Sequence, residues 1–371
     1  MKQRLALHLL IPFAHGLSPD CRNTFASLDL PHLNRLMQAL TPGVSDTGSE
    51  DSLSPPHERA LALEYGLTSP AAPAPDGQLP WGAWHAAQAG LSAPVSAPGI
   101  EPAWAVITPV HWAVQTNHIT MSDPEALQLG EDESRNLLAA MLPYFSEDGI
   151  RLVYDTPTRW LASGAVFRGL ATASVDRVVG RRVDDWLPKT PAAKPLRRLQ
   201  QEMQMLLYTH PLTDARAAQG QVAVNSFWVS GTGALGVDPA AHRQSPHSAL
   251  HPTLHPTLHP TLHPALHPTL HPTPDIVPDI VIAQSLRSAA LREDWPAWAA
   301  AWQQLDAMEC AACLARVAQG DAASITLCGE RGFQRFDNLD SRAAKSALWR
   351  VFQKMKRKIS NRPTDTLLSM L

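Results

Sequence analysis

The sequence predicts an α/β fold with a mostly parallel sheet flanked by helices, and three observations carry that expectation. The run Leu5–Ile11 is apolar on both faces, as a buried parallel strand requires. Segments of strand character (Trp104–Ile107, Ile150–Tyr154, Asp279–Ala283 and Ile325–Cys328) alternate with helical spacing at Pro31–Leu40, Glu131–Met141 and Trp295–Val317, which is the order of βα units. Between Leu199 and Leu235 the period itself changes, from helical spacing at Leu199, Met203, Leu206 and Leu207 to the β-branched and aromatic run of Val222, Val224, Phe227, Trp228 and Val229.

Each element has a local reason. Lys2 and Arg4 ahead of an apolar run imitate a short signal peptide, but His8 lies inside the run, Pro12 closes it, and no small-x-small cleavage site follows. A first strand explains the same residues. Pro143 is expected to end the Glu131–Met141 helix, and the helix through Leu207 must stop before Pro211. The polar stretch Thr41–Ser52 and the proline-alanine stretch Ser69–Pro80 read as loops. Ser230-Gly231-Thr232-Gly233 is expected to close its strand in a turn whose amides face an anion.

Composition narrows the class. The 371 residues are 44% hydrophobic and 18% charged, enough for a sizeable core, and no apolar run is long enough to span a bilayer. Four cysteines (Cys21, Cys310, Cys313, Cys328) are sparse, so a cytoplasmic protein with reduced thiols is expected. A net charge of −3 gives no general reason to bind nucleic acid or anionic membrane. The exception is local: the segment 341–371 carries Arg342, Lys345, Arg350, Lys354, Lys356, Arg357 and Lys358 with Leu348, Phe352, Met355 and Ile359 at helical spacing, a basic amphipathic helix.

Residues 1–238 and 275–340 are thus read as two parts of one α/β domain, separated by a low-complexity segment, 239–274. There Leu-His-Pro-Thr recurs six times from Leu250 to Thr273, once with Ala265 in place of threonine. A proline at every fourth position forbids helix and ladder alike and leaves a disordered, extended insert. Its regular histidines (His251 to His271) read either as a metal-chelating array or as a slippage product in a tolerant loop.

The candidate pocket gathers His111, His118, His210, Arg216, Asn225, Ser230, Gly231 and Gly233. His111 and His118 follow a strand ending near Ile107, where α/β folds place ligands, and Arg216 offers a planar fork for phosphate or carboxylate. The opposing account satisfies both histidines by backbone bonds beside Trp112, makes His210-Pro211 a helix cap, and pairs Arg216 with Asp214 on the surface. Ser54-Pro-Pro-His57-Glu-Arg59 reads as a proline-fixed turn and helix start at Pro56. Cys310-Ala-Ala-Cys313 lies within an alanine-rich helix, without the strand-to-helix setting of a redox pair or the second pair of a zinc site. Trp295, Trp298 and Trp302 read as core.

Two resemblances follow from particular motifs. The spacing from His210-Pro211 through Arg216 and Gly220 to Asn225 and Gly231-x-Gly233 resembles archaeal-type, cofactor-independent phosphoglycerate mutases of the alkaline phosphatase superfamily. Pro31-His-Leu-Asn-Arg-Leu36 is similar to an element near the start of many chains of that superfamily. More narrowly, Leu7-His-Leu-Leu-Ile-Pro-Phe13, Ser52-Leu-Ser-Pro-Pro-His-Glu-Arg59, Pro109-Val-His-Trp112 with Asn117-His118, Asp155-Thr-Pro-Thr-Arg-Trp160, Glu202-Met-Gln-Met-Leu-Leu-Tyr-Thr-His-Pro211, Asn225-Ser-Phe-Trp228 and Leu327-Cys-Gly-Glu-Arg-Gly332 resemble the Rpf-type regulatory proteins (regulation of pathogenicity factors, E type; RpfE).

The superfamily resemblance implies two metal ions held by aspartates and histidines beside a serine or threonine nucleophile. Here Ala14 stands where the first strand normally delivers an Asp, and Gly329-Glu330 where Asp-His is normal. Those losses imply no metal site, no cofactor and no mutase chemistry. The expectation is a catalytically degenerate regulatory protein that binds a phosphorylated metabolite or a protein partner. Its alternative is a phosphomonoester mutase or phosphatase with a relocated site built on His111, His118, His210 and Arg216.

Overall fold

The computed structural model describes residues 7–91, 102–235 and 279–338. The Leu-His-Pro-Thr segment and the basic tail lie outside the described residues. Along the chain run β1 (Leu7–Ile11), α1 (Pro19–Ser27), α2 (Pro31–Ala39), β2 (Thr41–Thr47), α3 (Pro56–Glu64), α4 (Trp81–Gln88), β3 (Trp104–Val110), β4 (Trp112–Val114), β5 (Ile119–Met121) and α5 (Glu131–Glu147). There follow β6 (Arg151–Thr156), β7 (Arg159–Ser163), α6 (Val175–Val178), α7 (Val183–Trp186), α8 (Lys194–Tyr208), α9 (Pro211–Ala218) and β8 (Ser226–Gly233). Then come β9 (Asp279–Ile282), α10 (Arg287–Leu291), α11 (Trp295–Leu305), α12 (Ala311–Ala318), β10 (Ala323–Cys328) and β11 (Gly332–Asp337).

The strands form two sheets, which corrects the expected mostly parallel one. In the first, of order β2-β11-β10-β1-β9, only β1 pairs in parallel, with β10 on one side and β9 on the other. The short Gly329–Arg331 connection forces β11 back antiparallel to β10, and β2 adds antiparallel beyond it. The second sheet, β6-β7-β3-β8, is antiparallel throughout, and β4-β5 is a small hairpin. Architecture is therefore mixed α/β.

β1 is an interior strand, between β10 and β9, because its side chains are apolar in both directions. Leu9 and Ile11 face α1, α2 and α11 in the main core, while Leu10 faces α3. His8, on the α3 face, is fully buried and tolerable because Nε2 lies 2.8 Å from Thr326 Oγ1 and Nδ1 3.3 Å from Glu64, which in turn pairs with Arg335. The second sheet is likewise covered twice, by α5 and α8 on one face and α4 on the other.

Three local expectations change. Thr41–Thr47, read as loop, pairs as an exposed edge strand; it lacks apolar alternation because only its backbone is used. Pro143 lies inside α5, which continues to Glu147. The Ser230–Gly233 segment is the end of β8, opposite Trp104 and Val106 with a bulge rather than a turn. Gly231 takes φ +61°, and any Cβ there would meet Trp81 Cβ at 2.8 Å.

α4 reaches β3 through Gly82, whose missing side chain lets the helix lie directly on Ala105: a Cβ would come within 2.5 Å of that backbone. Gly82→Ala should therefore destabilise the protein by about 1–3 kcal/mol despite alanine's better helix propensity, as read from urea midpoints.

Candidate functional site

A cleft of about 410 Å³ opens at the carboxyl exits of β1 and β10, between the first sheet and the segment carrying α6. Strand exits meeting at one edge leave side chains and backbone amides directed outward from the sheet. From β1 come Phe13 and His15; from β10, Gly329 and Glu330; from the start of α3, His57; from α6 and its exit, Asp176, Arg177 and Arg181. The two exits are tied by the Ala14 amide donating to the Cys328 carbonyl at 2.8 Å. Phe13 adopts φ +55°, a left-handed conformation that non-glycine residues rarely take, and its carbonyl accepts from Trp298 Nε1 at 3.0 Å.

Asp176 is the anchor of the far wall. Burial alone would raise its carboxyl, but the His57 ring at 3.1 Å and the Arg287 guanidinium at 2.7 Å outweigh it and hold the group at about 2. Arg287 also pairs with Asp123 at 3.0 Å. Next to this knot Glu58, buried and accepting from Ser174 Oγ, is pushed upward by desolvation.

The cationic wall is Arg177 and Arg181. Arg177 is 3% exposed; it donates to the Glu330 carbonyl at 3.0 Å and the Ser49 carbonyl at 3.4 Å, while its buried Nε has no partner. Burial, with Arg181 and Arg59 nearby, lowers it to about 10, so it stays charged at neutral pH. Glu330 spends both oxygens, accepting from the Leu17 amide and from Arg181 Nη2, each at 3.0 Å. His15, 7% exposed, has an unpartnered Nδ1. Burial and Arg22 bring it down to about 4 against the pull of Glu330, leaving a neutral imidazole. Cys21 is held as a thiol, raised to about 11 by burial.

This donor set does not fit the two-metal arrangement implied by the superfamily resemblance. Ala14 offers no side-chain ligand, Glu330 and Asp176 pair with arginines, and Cys21 is protonated. Among the described residues, no three His, Cys, Asp or Glu side chains are gathered closely enough to hold a metal ion.

None of the eight sequence candidates lines this cleft. Four of them instead do structural work around residues 210–225. His111 Nδ1 donates to the Ala223 carbonyl at 2.8 Å, and Asn225 accepts from the Trp112 amide at 2.7 Å and donates back to its carbonyl at 3.0 Å. Arg216, 1% exposed, donates to the Val222 and Leu127 carbonyls and pairs with Glu133 at 2.8 Å. His210 caps α9, its Nδ1 accepting from the Leu212 amide at 3.2 Å. His118 sits on the β4-β5 hairpin against Asn117 at 2.7 Å, and Ser230, Gly231 and Gly233 belong to the bulged end of β8. So His111, Arg216 and Asn225 are brought together, but around a backbone segment.

Of these groups the sequence singles out Glu330, after the β10 run, and the Ser54–Arg59 block as structural; it gives no expectation for Asp176, Arg177 or Arg181. The readable signal was Arg177-Val-Val-Gly-Arg181-Arg182, two separated arginines around a glycine. Cys310 and Cys313 are buried in the α11–α12 region, Cys313 raised to about 11 by desolvation, as core thiols should be.

No family model matches the chain, and no curated protein sequence does. Among solved structures, the chain is similar to the cofactor-independent phosphoglycerate mutase from Thermoplasma acidophilum DSM 1728, at 13% identity, 91% of this chain and 90% of that one covered, and a TM-score of 0.34. It is also similar to a protein from Pyrococcus horikoshii, at 10% identity, with coverage of 91% and 88% and a TM-score of 0.42. Likeness at this level concerns the fold, and the cleft must be read from its own geometry. Among the described residues no helix is long and apolar enough to cross a membrane.

Two measurements test these assignments. Arg216→Ala should cost about 3–5 kcal/mol in urea unfolding, because it takes a buried guanidinium from the Val222 and Leu127 carbonyls and leaves Glu133 without its cation. His15 binds a proton less readily folded, at about 4, than unfolded, at 6.5. The unfolded chain therefore takes up the proton first as pH falls, and stability is lost between pH 6.5 and 4, by roughly 3 kcal/mol at completion. His15→Asn should flatten that part of the stability–pH curve; an unchanged slope would show that His15 is solvated.

Proposed function

We propose that the chain is a regulatory, catalytically degenerate protein of phosphoglycerate mutase-like fold that binds a phosphorylated metabolite in the cleft at the β1 and β10 exits. The observation that carries this reading is Arg177, a charged side chain buried in the cleft wall with one donor unspent. A buried guanidinium N–H without an acceptor costs free energy that a bound oxyanion recovers, and the planar fork matches phosphate. Arg181 adds a second cation, and the neutral His15 offers Nδ1 to a ligand hydroxyl.

Degeneracy is supported by the ligand set: the carboxylates that would hold divalent ions are neutralised within the chain. The regulatory half of the reading follows the resemblance of the sequence blocks to Rpf-type proteins. The alternative, a mutase or phosphatase with a relocated site, rests on His111, His118, His210 and Arg216, whose side chains are engaged with backbone groups, Glu133 and Asn117.

Calorimetric titration with inorganic phosphate and a phosphoglycerate should show saturable binding that Arg177→Gln weakens at least tenfold, while glycerate, lacking the phosphate, binds weakly or not at all. On the same sample, ³¹P spectra should show neither interconversion of phosphoglycerates nor released phosphate. Turnover, or affinity indifferent to Arg177, would overturn the reading.

A further inference from the structure

The Glu330 side chain is arranged as a ligand rather than as a wall. Its two oxygens are divided between two donors, Oε2 accepting from the Leu17 amide and Oε1 from Arg181 Nη2, each at 3.0 Å. Leu17 directly precedes Ser18, the cap of α1, so this amide lies at the positive end of a helix whose first turn also faces the cleft. An amide at a helix start together with a guanidinium is a combination that holds phosphate and carboxylate oxygens. The occupant here is the protein's own carboxylate.

We propose that Glu330 is a built-in competitor for the oxyanion site, and that a phosphorylated ligand enters by displacing its carboxylate from Leu17 and Arg181. This rests on the phosphate-binding reading above and adds how that site is regulated.

Charge and attachment both favour an exchangeable contact. With Asp176 committed to Arg287 and His57, Glu330 is the carboxylate paired with the Arg177–Arg181 wall. A phosphate dianion replacing it would meet two guanidiniums with two charges. The Glu330 backbone is held separately, its carbonyl accepting from Arg177 Nη1. The side chain, already 27% exposed, therefore has a route to solvent without moving the strand exit or Arg177. Because the free site is populated only when the carboxylate is away, apparent affinity is reduced by that fraction. The cleft then fills at correspondingly higher ligand concentrations.

Glu330→Gln keeps the shape and an acceptor oxygen but removes the charge. Titrated with inorganic phosphate, it should bind about 5- to 50-fold more tightly than wild type, with Arg177→Gln weaker than wild type. If Glu330→Gln binds no more tightly while Arg177→Gln loses affinity, the competitor role is wrong and the phosphate site stands. If all three proteins bind alike, or none binds, both readings fail. A measurement independent of substitution uses the wild-type chain: at saturating phosphate the Glu330 carboxyl ¹³C resonance should move to the position of a solvated glutamate. An unmoved resonance with phosphate bound would overturn the proposal.

Discussion

Asp176, a half-buried carboxylate, ties the segment of the second sheet to that of the first. Asp176 belongs to the segment that packs with the β4-β5 hairpin and the second sheet, whereas its partners His57 and Arg287 come from α3 and α10, beside the first sheet. An ionised carboxylate away from water needs its partners together, since removing one leaves an uncompensated charge. The pairing is therefore a positional constraint as much as a stabilising one. It fixes α6, and with it Arg177 in the next position and Arg181 one turn on. Because Arg287 and His57 absorb the charge of Asp176, Glu330 is the carboxylate that pairs with Arg181 at the cleft.

A similar economy explains why the predicted pocket is a structural knot. The chain between α9 and β8 has no regular ladder for its first carbonyls and amides, and buried backbone groups must be paired. Arg216 and His111 supply those partners to Val222 and Ala223, and the Asn225 side chain ties the segment to the Trp112 backbone. A planar fork that suits phosphate suits carbonyl oxygens and Glu133 equally well. Residue type alone does not separate the two uses; what decides is which acceptors the fold brings within reach.

That distinction marks what the sequence made legible. β1 and β10 are readable because burial on both faces writes a continuous apolar run, β9 because Ile280-Val281-Ile282 is β-branched although only half-buried, and α5 and α8 because one buried stripe writes a helical period. β2 was not, since a seven-residue edge strand used only for its backbone leaves no side-chain pattern. The parallel sheet was overestimated because runs of strand character do not state direction; direction came from the short connection after Cys328. At the cleft, Glu330 is readable from its place after an apolar run. Asp176, Arg177 and Arg181 were hidden because their meaning lies in partners more than a hundred residues away, at His57, Arg287 and Glu330.

The electrostatics of the cleft bear on what kind of chemistry it can support. A divalent ion in such a place does two things: it attracts an anionic ligand, and it lowers the pKa of bound water or an adjacent hydroxyl so that a nucleophile exists at neutral pH. Fixed guanidiniums perform the first task. They do not perform the second; the His15 imidazole is desolvated to a pKa near 4, too weak a base to ionise a hydroxyl efficiently, and Cys21 remains a thiol. Ser18 is occupied in capping α1. Under the reading proposed above, arginines in such a place hold a phosphate without the hydroxyl activation that a divalent ion would supply.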